Sequence, residues 1–140
     1  MPSGQSALTP ALDADVESLE TTSAGTLRYY VDRSGEGRPL VLLHSINAAP
    51  SAMEMKPMFE HFRGRRPVFA PDLPGFGLSD RRAWDYTPSL YATAITELLR
   101  AAGGPAVDVV ALSLTAEFAA RCIVDNPDAC RSLAIISPTG

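Results

Sequence analysis

From Pro39 onward the apolar positions come in short unbroken runs, and most of the segments between them carry apolar residues three and four apart. Pro39–His44 (PLVLLH), Pro67–Ala70 (PVFA), Ala106–Leu112 (AVDVVAL) and Ser132–Ser137 (SLAIIS) lack the apolar–polar alternation of a sheet with one wet face. Such runs predict strands covered on both sides. Between them, Pro50–Phe62 predicts a helix whose middle Pro57 disturbs. Ser89–Gly104 predicts the clearest helix. Leu90, Ala94, Ile95, Leu98 and Leu99 form one stripe, Ser89 caps the start after Pro88, and Gly103 and Gly104 stop it. Leu114 to Asn126 predicts a third helix, stopped by Pro127. Strand and helix therefore alternate, which predicts an α/β fold: a mostly parallel sheet with helices on both faces.

Before Pro39 the pattern weakens. Residues 1–22 are rich in Ser, Ala, Pro and acids, with poor periodicity, and are expected to form a flexible leader to a domain over 23–140. Thr26–Val31 (TLRYYV) predicts a strand, and the turn cluster Asp32–Gly37 (DRSGEG) predicts that it forms a hairpin with Pro39–His44.

One junction carries candidate chemistry. In Val109–Cys122 (VVALSLTAEFAARC) a β-branched run passes into a helix at Ser113. A serine hydroxyl becomes a useful nucleophile when it is exposed, paired with a base and set beside donors for the oxyanion. A sharp strand-to-helix turn supplies the exposure and the unpaired N–H groups of the helix start. The same position also suits a serine that merely caps the helix, and Ala111-Leu112-Ser113-Leu114-Thr115 by itself decides for neither.

Two further stretches, in chain order, bear on that choice: Pro39–Ser45 (PLVLLHS) and Pro71–Asp80 (PDLPGFGLSD). Together with the Ser113 turn they resemble the α/β-hydrolase superfamily from about Thr26 to Gly140. The first resembles the strand entering the family's His-Gly oxyanion loop. The second resembles its Asp-x-x-Gly-x-Gly-x-Ser loop, with Asp72, Gly75, Gly77 and Ser79 in register. The third resembles the Gly-x-Ser-x-Gly nucleophile elbow with both glycines replaced, by Ala111 and Thr115. The resemblance implies that Ser113 is the catalytic nucleophile and that the N–H groups of Ile46 and Leu114 form the oxyanion hole. His44 and Ser45, the latter where the family generally has glycine, would support the oxyanion loop. Asn47 either lines the pocket or holds a turn. Asp72 would tie down a loop that Gly75 and Gly77 permit through positive φ. The implied reaction is acyl transfer from an ester, thioester, amide or related carbonyl substrate. The apolar neighbours Leu112, Leu114 and Ile46 point to an apolar acyl group. Relatives that use an aspartate nucleophile are disfavoured by Ser113.

Composition narrows the alternatives. A net charge of −4 argues against nucleic acid as the main partner, and the short basic cluster Arg63, Arg65, Arg66 reads as a solvated turn. Two cysteines make no disulfide framework, and Cys122 falls in a helical pattern as a buried, inert thiol. His44 and His61, without an HExxH or CxxC motif, make no metal site. Phosphate-cradling loops are missing, and GFG in the Asp72 loop does not open a helix, so no cofactor is expected. With no secretory signal and no membrane-spanning run, a cytoplasmic location is expected.

The resemblance also implies absences. The family's acid and histidine follow the serine, in the order Ser, acid, His, beyond the strand at which this sequence stops. The chain is therefore expected to be the N-terminal part of a larger hydrolase, without late strands or lid, and inactive alone. Its last strand would be an exposed apolar edge open to self-association. Two other readings compete: a non-catalytic member of the fold that binds a small apolar ligand or a protein partner, and an unrelated flavodoxin-like module. The second explains the alternation but not the three ordered motifs.

Overall fold

In the computed structural model, which describes residues 10–46, 51–82 and 85–138, the sheet has six strands. In chain order they are β1 (Asp15–Glu20), β2 (Thr26–Asp32), β3 (Leu40–Leu43), β4 (Val68–Asp72), β5 (Asp108–Leu112) and β6 (Ser132–Ile136). In space they run β1-β2-β4-β3-β5-β6. From β4 to β6 every pairing is parallel, while β1–β2 and β2–β4 are antiparallel. This is the mostly parallel α/β sheet that the uninterrupted apolar runs predict.

Two expectations for the N-terminal part fail. Within the expected leader, Asp15–Glu20 is not loose, because it pairs residue for residue with β2 as an edge strand. Its apolar residues, Val16 and Leu19, fall three apart, so neither strand alternation nor a continuous run marks it. Nor do β2 and β3 form a hairpin: β4 lies between them, paired to both. A turn-rich linker signals reversal of the chain but does not say which strand fills the adjacent slot.

Alternation hidden by uniform apolarity is visible in the packing. Val41 and Leu43 of β3 face one layer with Phe69, Val109 and Ala111, while Leu40 and Leu42 face the other with Val68, Ala70 and Val110. The first layer is covered by α2 (Pro88–Ala102) and α3 (Thr115–Asp125), through Tyr91, Ile95, Leu98, Phe118 and Ala119. The second is covered by a short 3-10 turn (Ala52–Met55) leading into α1 (Lys56–Phe62), through Met55 and Phe59. Pro57 thus divides the predicted helix: it sits in the first turn of α1, where its missing N–H is harmless, and the preceding turn tightens. The N-cap of α2 is Thr87 rather than Ser89. Its side chain accepts from the Leu90 N–H at 3.1 Å, with Pro88 opening the helix.

At the amino end of β5, Asp108 clamps two other segments to the strand. It accepts from the Ser132 hydroxyl at 2.6 Å, Arg66 Nη2 at 2.7 Å and Arg131 Nη1 at 3.1 Å. These bonds, Ser132 first and then Arg66, hold its carboxyl down at about 2. A depressed folded-state value means the stabilisation is complete above the ordinary carboxylate range and is lost as pH falls from about 4 towards 2. Asp108→Asn is expected to cost on the order of 1 kcal/mol at neutral pH, after allowance for solvent screening. Urea midpoints of the two proteins should converge at pH 2; a gap that persists unchanged there would assign the effect to packing instead.

Candidate active site

The strand order reverses at β3. Its chain successor β4 lies on one side, and β5 lies on the other. In open α/β sheets the crevice beyond the carboxyl ends of strands at such a reversal is where ligands bind. Leu43 of β3 registers with Ala111 of β5, so His44–Ile46 and Ser113 leave the sheet side by side.

Ser113 has φ +58, one of two non-glycine residues with positive φ among those described. For a residue with a Cβ this left-handed conformation costs on the order of 1 kcal/mol. Neighbours hold it there. The Ser113 N–H donates to the Ile136 carbonyl of β6 at 2.9 Å, and its own carbonyl accepts from the Ala116 N–H at 3.0 Å. Ser113 is half-buried, and among the described residues its hydroxyl has no hydrogen-bond partner. Nor does any hydrogen bond among them engage the N–H of Ile46 or of Leu114. A strained turn, an uncommitted hydroxyl and two uncommitted amides therefore share one edge of the sheet.

His44 is fully buried and committed at both ring nitrogens. Nε2 accepts from the Leu73 N–H at 2.9 Å, so in the neutral ring Nδ1 carries the proton and donates to the Ser45 carbonyl at 2.7 Å. Burial pushes its pKa down, against the opposing pull of the Ser45 carbonyl, Asp72 and Glu54. A ring so engaged has no lone pair for a substrate proton. His61 is exposed on α1, across the sheet from α3.

Ser45 is also buried. Its N–H donates to Glu54 Oε1 at 3.0 Å, and its hydroxyl donates to the same carboxylate. Asn47 lies outside the described residues. Asp72 is buried at the end of β4, with Oδ1 accepting from the Ala52 N–H at 2.8 Å and Oδ2 from the Leu78 N–H at 2.9 Å. It thereby joins the turn after β3 to the loop containing Gly75 (φ +86) and Gly77 (φ +51). Ser79 closes that loop, donating from its hydroxyl to the Asp72 carbonyl and accepting from the Arg28 N–H.

Two contributors escaped the sequence reading. Thr115, which replaces the second elbow glycine, is fully buried and donates from Oγ1 to the His44 carbonyl at 2.6 Å. Glu54 carries no sequence signal at all, since only the fold brings it to Ser45. Beside His44 an apolar recess of about 290 Å³ is lined by Gly75, Phe76, Tyr86 and Tyr91. Phe76 meets the His44 ring edge-on at 5.5 Å, and Tyr91 anchors the wall by donating to the Pro74 carbonyl at 3.0 Å. A larger recess of about 510 Å³ lies elsewhere, between β1, β2 and Arg63, and is lined largely by charged residues. Among the described residues no cluster of His, Cys, Asp and Glu could hold a metal ion, and no helix is long and apolar enough to cross a membrane.

Residues 40–140 match the Alpha/beta hydrolase family. No curated protein matches the chain. Among solved structures it resembles a putative lipase from Acinetobacter baumannii: 23% identity over 90% of this chain and 42% of that one, TM-score 0.77. It is similar to the haloalkane dehalogenase DatA from Agrobacterium tumefaciens, at 24% identity over 91% of this chain and 43% of that one, TM-score 0.74. A thermophilic esterase from Thermogutta terrifontis aligns at 22% identity over 90% of this chain and 46% of that one, TM-score 0.74. The chain thus spans less than half the length of each of these three proteins. With the sheet order, the Asp72 loop and the strained serine turn on the same side, the conclusion is direct: the chain belongs to the alpha/beta hydrolase family.

Proposed function

We propose that the protein containing this chain is a serine hydrolase that forms an acyl-enzyme at Ser113. The observation that carries the reading is the positive φ of Ser113, which coincides with a hydroxyl uncommitted among the described residues. A serine serving only as a helix cap would spend that hydroxyl on the helix N–H groups. In the proposed step Ser113 Oγ attacks the carbonyl carbon and its proton passes to a general base. The carbonyl oxygen becomes an oxyanion held by the Ile46 and Leu114 N–H groups. Collapse expels the alcohol, thiol or amine with that proton, and water then cleaves the Ser113 ester. His44 is too fully bonded, and His61 too remote, to be the base. The reading therefore draws the base and its acid from sequence outside this chain, in keeping with the share of its relatives that the chain covers. The aromatic recess beside His44 favours a substrate with an apolar acyl group.

A fluorophosphonate, which phosphonylates activated serines, tests this in the full-length protein. The expected result is a single adduct on the peptide containing Ser113, absent in Ser113→Ala. The competing reading, a non-catalytic protein that binds a small apolar ligand or a partner, draws on Ala111 and Thr115 standing where the elbow glycines are usual. A folded full-length protein that takes no label would favour it.

A further inference from the structure

The His44–Ser45 peptide is held at both ends by side chains from different parts of the chain. Its carbonyl accepts from Thr115 Oγ1 at 2.6 Å, and its N–H donates to Glu54 Oε1 at 3.0 Å. A peptide unit is planar, with C=O and N–H on opposite sides, so fixing both ends fixes the plane. The next unit inherits that direction. Its carbonyl, on Ser45, accepts from His44 Nδ1, which turns the Ile46 N–H away from the imidazole.

We propose that Thr115 and Glu54 are positioning residues. Together they clamp the His44–Ser45 peptide, and so set the Ile46 N–H relative to Ser113. Thr115 is two residues from the serine, so its bond makes the loop after β3 and the helix after β5 a single unit. A glycine at 115 could not form this bond. The threonine is thus an alternative means of fixing the same geometry, and Glu54 secures the neighbouring residue from the solvent side. The proposal rests on the serine-hydrolase reading for its kinetic consequence but not for its structural one.

Two measurements on the full-length protein separate these. The first is the rate of fluorophosphonate labelling, with kcat and KM for a p-nitrophenyl ester. T115V keeps the shape and loses the hydroxyl, and is expected to slow labelling and lower kcat by about 10- to 100-fold with KM little changed, since small misplacements of an aligned group cost this much. T115S, which restores the hydroxyl, should recover most of the rate. The second is amide hydrogen exchange at Ser45, expected to speed up in T115V and not in T115S, with protection in β5 unchanged. E54A, which removes the acceptor at an exposed position, should reproduce the faster exchange even if T115V does not fold. Wild-type kcat in T115V, or T115S as impaired as T115V, would overturn the proposal by reducing position 115 to packing. Unchanged Ser45 exchange in both T115V and E54A would overturn it as well. If the wild type takes no label, the hydrolase reading fails alone, and the exchange data still decide the clamp.

Discussion

Gly77→Ala is expected to unfold the chain, at a cost above about 4 kcal/mol, because backbone strain and a collision fall at one position. Gly77 has φ +51, and a Cβ built there would lie 2.1 Å from both Cγ and Oδ2 of Asp72. The carboxylate cannot retreat. Each oxygen accepts a backbone N–H, from Ala52 and Leu78, and moving it would strand those donors in or near the interior at about 1–3 kcal/mol apiece. Gly37→Ala is the control for strain alone. Its φ is +109, but no atom lies within 4 Å of the added carbon, so it should cost only about 1 kcal/mol. Gly75→Ala should fall between them, since the atom it meets at 2.8 Å belongs to the partly exposed Tyr86 ring. Chemical denaturation of the three variants tests the ranking. A Gly77→Ala protein melting close to wild type would mean that the Asp72 loop is not held as described.

His44→Ala is expected to be nearly as damaging, by about 3 kcal/mol or more. It empties a fully buried site and removes the partners of the Leu73 N–H and the Ser45 carbonyl. A second signature separates His44 from an ordinary core residue. Its folded-state pKa lies below the usual histidine value because burial disfavours the imidazolium. The unfolded chain therefore takes up its proton near pH 6.5, at a higher pH than the folded one does. Stability is full above that range and declines as pH falls through it, with a limiting slope of about 1.4 kcal/mol per unit. His44→Gln should abolish this component between pH 7 and 5. Identical pH profiles for wild type and His44→Gln would refute the assignment.

The central strands were legible because uniform apolarity over short runs has one common cause, burial on both faces, and β3, β4 and β5 obey it. The edge was not. Asp15–Glu20 owes its place to pairing with β2, and a ladder partner leaves no mark in a strand whose side chains are mostly wet. The start of α2 could have been placed better from Thr87-Pro88 alone, since proline prefers the first helical position and a capping residue precedes it. Within the site, strand ends and loop glycines were readable because their spacing is local. Thr115 was not, because the cause of that residue lies 71 positions earlier, in the His44 carbonyl. A hydroxyl judged only by its bulk looks like a defect until its acceptor is known.

The reversal of strand order has a consequence for biosynthesis. Leu40–Leu43, all four of them buried, emerges from the ribosome long before Asp108–Leu112, the strand that closes its far side. Until then β4 covers only one flank of it, through the Leu40–Val68 and Val41–Phe69 pairs. A nascent chain must therefore carry a sticky half-finished sheet through the whole synthesis of α2, the interval in which chaperone capture or misassembly competes with folding.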